Sequence, residues 1–153
     1  MKEQIPNPAV QAFIERMGLA SEADGMPRIA GRILGYLIVY GGPVSFTELA
    51  DILQVSRGSI STNARLLGSL GIIELVSFPG DRQNYYQLSD NPGEKIISAA
   101  LARIKNTERI LGSARKTIPE SIEGSADRLQ QMEQLYGTVG QQLEIALQQL
   151  DNG

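Results

Sequence analysis

Cysteine, histidine and tryptophan are all absent from this 153-residue chain. Without thiolates or imidazoles there is no cysteine zinc site, no disulfide, no thiol switch and no Ser-His or Cys-His catalytic pair. Paired carboxylates such as Glu120 and Glu123 occur only in a polar loop, with no glycine-rich phosphate cradle or metal-ligand cluster beside them. The expectation is a protein that is not an enzyme and needs no metal or cofactor. Long apolar runs are missing too: the most apolar stretch, Ile29 to Tyr40, is broken by Arg32 and is too short to span a bilayer. The N-terminus lacks the basic-then-apolar layout of a signal peptide, so a soluble cytoplasmic protein is expected. Positive charge is scarce, with 14 Lys and Arg against 17 Asp and Glu. That balance opposes strong non-specific binding to phosphates, so any DNA affinity must come from local placement and dimerisation. The length suits one core with attached helices.

The first helix is expected to enter at Asn7-Pro8, a cap followed by a ring preset for the first turn. Val10, Phe13, Ile14 and Met17 then recur at helical spacing up to Gly18. A second helix starts at Met26-Pro27, with Ile29, Ile33, Leu34, Leu37 and Ile38 on a wide apolar face. Gly31 and Gly35 share one side and permit a close helix crossing. Gly41-Gly42-Pro43 ends it.

Ser45 followed by Glu48 is a capping box, and the helix it opens is expected over residues 46–53, with Leu49, Ala50 and Leu53 buried. Gln54-Val55-Ser56 leaves room only for a tight turn into a further helix capped by Ser56. At a step of about 100° per residue, Ile60, Ala64, Leu67 and Gly71 face inward. Gly58, Thr62, Arg65 and Ser69 face outward, flanked by Ser61. Small donors around arginine suit a recognition helix in a DNA groove, although an ordinary solvated face also needs only to be polar. Ile72 to Phe78 and Tyr85 to Leu88 flank the turn-forming Pro79-Gly80-Asp81 and read as a β-hairpin. A hairpin after a helix-turn-helix is a wing, and its Arg82, with Gln83 and Asn84, can reach a minor groove. The plainer alternative pairs Arg82 with Asp81.

Residues 25–88, with VSRGSIS and PGDR at their observed separation, resemble the winged-helix core of the MarR family of bacterial transcription regulators, and most of all its GbsR-like branch. The resemblance implies a homodimer on a pseudo-palindromic operator, usually as a repressor. It places Ser56, Arg57, Gly58, Ser59, Ser61, Thr62 and Arg65 at the major groove and Arg82, Gln83 and Asn84 in the wing. Gln83 departs from the pattern, because many family wings carry a second basic residue there. The resemblance also implies a small-molecule effector, of the choline or osmolyte type in the GbsR-like branch. Phe13, Tyr36, Tyr40 and Tyr136 are candidates to cage a quaternary ammonium, or else are ordinary core aromatics.

Beyond the wing, Asn91-Pro92-Gly93-Glu94 reads as a capped helix start. Ile97, Leu101, Ile104, Leu111, Ala114 and Ile118 continue it to Pro119. Leu129, Met132, Tyr136, Val139, Leu143, Ala146 and Leu150 then step by threes and fours, a coiled-coil-like seam. Its partner is either the chain's own helices or, as favoured here, a second subunit, and Gly137 and Gly140 suit a close crossing. Paired subunits would hold half-sites about 34 Å apart. The expected fold is mainly α with a small β-hairpin wing: a winged helix-turn-helix over residues 25–90, an N-terminal packing and dimerisation helix in 1–24, and C-terminal dimerisation helices in 91–153. A winged helix that binds an acidic protein instead of DNA is the alternative function.

Overall fold

In the computed structural model, which describes residues 7–153, Asn7 Oδ1 accepts the Val10 amide at 3.0 Å and starts helix α1 (Pro8–Ala23). Next come α2 (Arg28–Tyr40), β1 (Val44–Ser45), α3 (Phe46–Leu53), α4 (Arg57–Ser69), β2 (Ile73–Val76) and β3 (Tyr85–Leu88). Two long helices follow, α5 (Pro92–Thr117) and α6 (Ser125–Asp151). The chain divides into two compact units, Met1–Pro92 and Gly93–Gly153.

In the first unit α1 runs five residues past Gly18, where the sequence suggested an end. Gly18 is a packing residue: a Cβ there would lie 2.8 Å from Arg32 Cγ and 3.0 Å from Arg28 Cγ. The contact with α2 thus offsets the low helix propensity of glycine. Gly31 and Gly35 do the same from the α2 side, the latter with room only for a Cβ 3.1 Å from that of Met17. Gly41, at φ 76°, closes α2 and donates to Leu37 O at 2.7 Å.

The core gathers Ile33, Leu37, Leu49, Leu53, Ile60, Leu67 and Ile73, all essentially inaccessible to solvent. Each such side chain contributes about 1.5–3 kcal/mol by leaving water. A three-stranded antiparallel sheet in the order β1-β3-β2 lies against them. Val44 pairs with Tyr86 and Ser45 with Tyr85, while Ile73 pairs with Leu88 and Val76 with Tyr85. β1 escaped the sequence reading because two residues carry no periodicity. β2 is also shorter than the expected run from Ile72 to Phe78. Ser89 Oγ donates to the carbonyls of Gly71 and Ile72, at 2.6 and 2.8 Å, and locks the hairpin base to the end of α4.

The second unit is a pair of helices. Asn91, expected as an N-cap, takes a φ of 53° instead, a left-handed conformation that asparagine tolerates better than most residues. Gly140 of α6 packs against Ile104 and Leu101 of α5, where a Cβ would sit 3.6 Å from Ile104 Cγ2. Lys105 pairs with Glu144, and Arg115 with Glu133 at 3.2 Å. α5 buries no residue completely and α6 buries only Gly140. No helix among the described residues is long and apolar enough to cross a membrane.

Candidate nucleic-acid interface

The capping box forms as its spacing dictates: Ser45 Oγ accepts the Glu48 amide at 3.2 Å and Glu48 Oε2 accepts the Ser45 amide at 2.9 Å. Two otherwise free donors are satisfied, and α3 begins at the sheet edge. α3 ends at Gln54, which adopts the left-handed conformation (φ 55°, ψ 46°). Val55 donates back to Ala50 O at 3.0 Å. The reversal is tight enough for Ser56 to cap α4 at once, accepting the Ser59 amide at 3.1 Å.

α4 buries Ile60, Ala64 and Leu67 as expected, and also Asn63. Burial of Asn63 was not expected; its Nδ2 donates to Ser59 O at 2.8 Å and so satisfies the buried amide within the helix. Arg57, Gly58, Thr62, Arg65 and Ser69 are exposed, with Ser59 and Ser61 half-buried. The Ser56 hydroxyl donates to Ser59 Oγ at 3.0 Å, so these two hydroxyls serve the cap first. Arg65 Nη2 reaches Ser61 Oγ only at 3.4 Å. A Cβ on Gly58 would meet nothing closer than Ser56 Oγ at 3.9 Å, so no internal packing calls for glycine there.

The wing tip turns at Gly80, with φ 80°. Asp81 does not pair with Arg82: its Oδ1 accepts the Gln83 amide at 2.8 Å and its Oδ2 the Tyr85 hydroxyl at 2.6 Å. The Tyr85 and Gln83 hydrogen bonds hold the Asp81 carboxyl below its ordinary range, and the same carboxylate raises the Tyr85 phenol. Phe78 meets the Tyr85 ring edge-on at 5.0 Å and braces the loop. A depressed carboxyl stabilises the wing above its unfolded pKa of about 4, and that contribution is lost as pH falls through the lower folded value. A raised phenol contributes below about pH 10 and is lost as pH rises through its folded value. Wing order is therefore expected to stay flat across neutral pH and to loosen in acid. Amide exchange at Gln83 checks this, and Asp81→Asn should abolish the acid limb.

A groove of about 350 Å³ brings Arg57 and Ser61 of α4 together with Arg82, Gln83 and Asn84 of the wing. Phe46 and Thr47 of α3 complete its wall, and sequence reasoning missed both. No local pattern pointed to them, because the first residues after the Ser45 cap come beside the wing only through the pairing of β1 with β3. Among the described residues, none of Arg57, Arg65 and Arg82 forms an ion pair. The face thus offers unpaired guanidinium groups, hydroxyls and amides, the chemistry that meets phosphate oxygens and base edges.

Of the aromatic candidates, Tyr36 and Tyr40 stack with centroids 4.7 Å apart and planes tilted by 38°. Burial raises the Tyr36 phenol above its ordinary value. Phe13 is half-buried on α1, and Tyr136 belongs to the second unit. Within the proposed seam, Met132, Val139 and Leu150 are exposed and Leu129, Tyr136, Leu143 and Ala146 half-buried.

Comparison with known proteins agrees with this geometry. Residues 24–83 match the MarR family model. The HTH-type transcriptional regulator MmpR5 of Mycobacterium tuberculosis is 37% identical over 134 residues, covering 82% of this chain and 81% of that protein. The putative HTH-type transcriptional regulator YvaV of Bacillus subtilis is 32% identical over 86 residues, covering 56% of this chain and 49% of that protein. A crystal structure described as a transcriptional regulator superposes with a TM-score of 0.76 at 32% identity, covering 95% of this chain and all of that one. With its capped helix-turn-helix, its wing and these relatives, the chain belongs to the MarR family of DNA-binding, non-enzymatic transcriptional regulators.

Proposed function

We propose that this regulator is a homodimeric repressor in the GbsR-like branch, acting in the cytoplasm on a pseudo-palindromic operator. α4 enters the major groove, with Arg57, Ser61, Thr62 and Arg65 toward DNA and Gly58 letting the backbone approach. Ser56 caps that helix, with its hydroxyl held by Ser59 Oγ, and the remaining free N-terminal amides face phosphate. Arg82 enters the minor groove, with Gln83 and Asn84 beside it. The observation that carries this reading is the single groove shared by Arg57, Ser61 and the wing, lined by guanidinium groups that form no ion pair among the described residues.

Dimerisation through residues 91–153, with 1–24 contributing, is supported by apolar side chains that the second unit leaves in solvent. Ile110 is 59% exposed, Leu135 53% and Leu150 48%. A chain with net charge −3 also needs two recognition helices and two wings to collect enough phosphate contacts. Selection of binding sites from random DNA, followed by footprinting and light scattering of the complex, tests the proposal. The expected result is two inverted half-sites about 10 base pairs apart holding two chains. No enriched sequence, or one chain on one half-site, overturns it.

Gly58→Ala separates DNA approach from folding. The substitution is expected to raise stability by about 0.5–1 kcal/mol, because nothing obstructs the new methyl group, and to weaken DNA binding several-fold. Thermal unfolding and anisotropy titrations read the two effects, and unchanged affinity would remove Gly58 from the interface. A choline-type effector is proposed at the aromatic corner of Tyr36 and Tyr40, with Phe13 as a further candidate in the same unit. Thermal stability that stays flat across a panel of choline, betaine and related osmolytes overturns that assignment.

A further inference from the structure

Arg32 projects from the middle of α2 with only 17% of its side chain exposed. A guanidinium held so far from water is tolerated only where its donors are satisfied, and here two different elements satisfy them. Nε donates to Glu15 Oε1 of α1 at 2.8 Å, and Nη2 donates to the backbone carbonyl of Leu53 at 2.8 Å. Leu53 is the last residue of α3, so its carbonyl has no helical partner and lies at the negative end of the helix dipole. The stem of Arg32 reaches this point across Gly18, where a Cβ would come within 2.8 Å of Arg32 Cγ. A glycine on α1, over which Arg28 also packs, and a carboxylate one turn before it therefore make room for this side chain. Immediately beyond Leu53, Gln54 takes its left-handed conformation and the chain turns into α4.

We propose that Arg32 is a positioning residue for the recognition helix: it ties the α3–α4 turn to α1, so that a displacement of α1 is passed to the turn. The planar fork of arginine is required, because a lysine ammonium is a single point charge on a flexible stem that does not hold both partners in a fixed geometry. For its functional consequence the inference rests on the DNA-binding reading above. Its structural core, a turn clamped to α1, does not.

The test compares Arg32→Met, Arg32→Lys and Glu15→Ala with the unmodified protein. Three quantities are read: affinity for the DNA sequence the unmodified protein selects, its salt dependence, and amide exchange at Val55, whose N–H bonds to Ala50 O in the turn. Arg32→Met is expected to lose about ten-fold in affinity. The slope of affinity against salt should be unchanged, because the arginines that face DNA remain. Val55 should exchange faster while core amides of α2 keep their protection. Glu15→Ala should give a smaller loss of the same kind. Combined with Arg32→Met it should add nothing, since both act through one contact. A merely structural arginine would lower the melting temperature but leave turn exchange and affinity unaltered well below it.

Affinity and Val55 exchange within about two-fold of the unmodified protein, or additive effects of the two substitutions, overturn the proposal. Should Arg32→Met fail to fold, Arg32→Lys carries the same test. If the unmodified protein selects no DNA sequence, the DNA-binding reading fails by itself, and exchange at Val55 still decides whether Arg32 clamps the turn.

Discussion

Gly31→Ala is expected to lower the thermal midpoint of the first unit by about 10 °C, the equivalent of about 2 kcal/mol of overpacking. The methyl group would collide with the Met17 backbone carbonyl and the Ser21 Oγ of α1, and would come within 2.6 Å of Ser21 Cβ. A hydroxyl can rotate away from such a contact. A helical carbonyl cannot, because it is fixed by its own hydrogen bond, so α1 must move bodily off α2. Gly35→Ala provides the internal comparison. Its Cβ would lie 3.1 Å from Met17 Cβ and 3.3 Å from Ile14 Cα, and a shift of a few tenths of an ångström relieves that crowding at smaller cost. Circular dichroism melts of the two variants measure the difference. A midpoint for Gly31→Ala close to that of the unmodified protein would mean that the helix crossing is far softer than its geometry implies.

Arg65→Ala and Arg82→Ala are each expected to weaken binding to the selected DNA by about 5- to 150-fold, corresponding to about 1–3 kcal/mol for a guanidinium on a base edge. Neither change should disturb the fold. Both residues are exposed and unpaired with any carboxylate among the described residues, and Arg65 has only a long contact to Ser61. Substitution at such positions shifts stability by about 0.5 kcal/mol or less. The salt series separates the roles. Loss of a phosphate contact lowers the salt slope by about one and weakens all DNA equally, whereas loss of a base contact erodes the preference for the selected sequence over scrambled DNA. Fluorescence anisotropy on both DNAs reads all of this. If the variants bind as the unmodified protein does, the guanidinium face serves an acidic protein partner and the DNA assignment of these residues falls.

Local rules were enough for the helices that carry the interface. The Ser45-Glu48 box and the Ser56 cap depend on backbone donors within three residues, so their spacing alone specifies them. The inward face of α4 is likewise a matter of angular step, and Ile60, Ala64 and Leu67 are buried accordingly. Reading failed where a distant contact outweighed a local preference. Gly18 looks like a helix end in one dimension and is a packing surface in three, because Arg28 and Arg32 fill the space its missing side chain leaves. The pairing of Asp81 with Arg82, which the sequence left open as the plainer alternative, does not form, because Asp81 Oδ2 accepts the Tyr85 hydroxyl across the hairpin.

The sequence by itself determined the order of the helices, the capped helix-turn-helix, the hairpin after it and the side of α4 that carries arginine. All of these follow from interactions between residues a few positions apart, which periodicity and capping chemistry report directly. Only the tertiary structure decided that β1 pairs with β3, that Phe46 and Thr47 wall the groove between α4 and the wing, and that Arg32 bonds a carbonyl 21 residues away. Such pairings depend on how helices cross and where the chain returns. They are fixed by the fit of surfaces, such as the glycine-lined contact of α1 with α2, and no repeat along the chain encodes that fit.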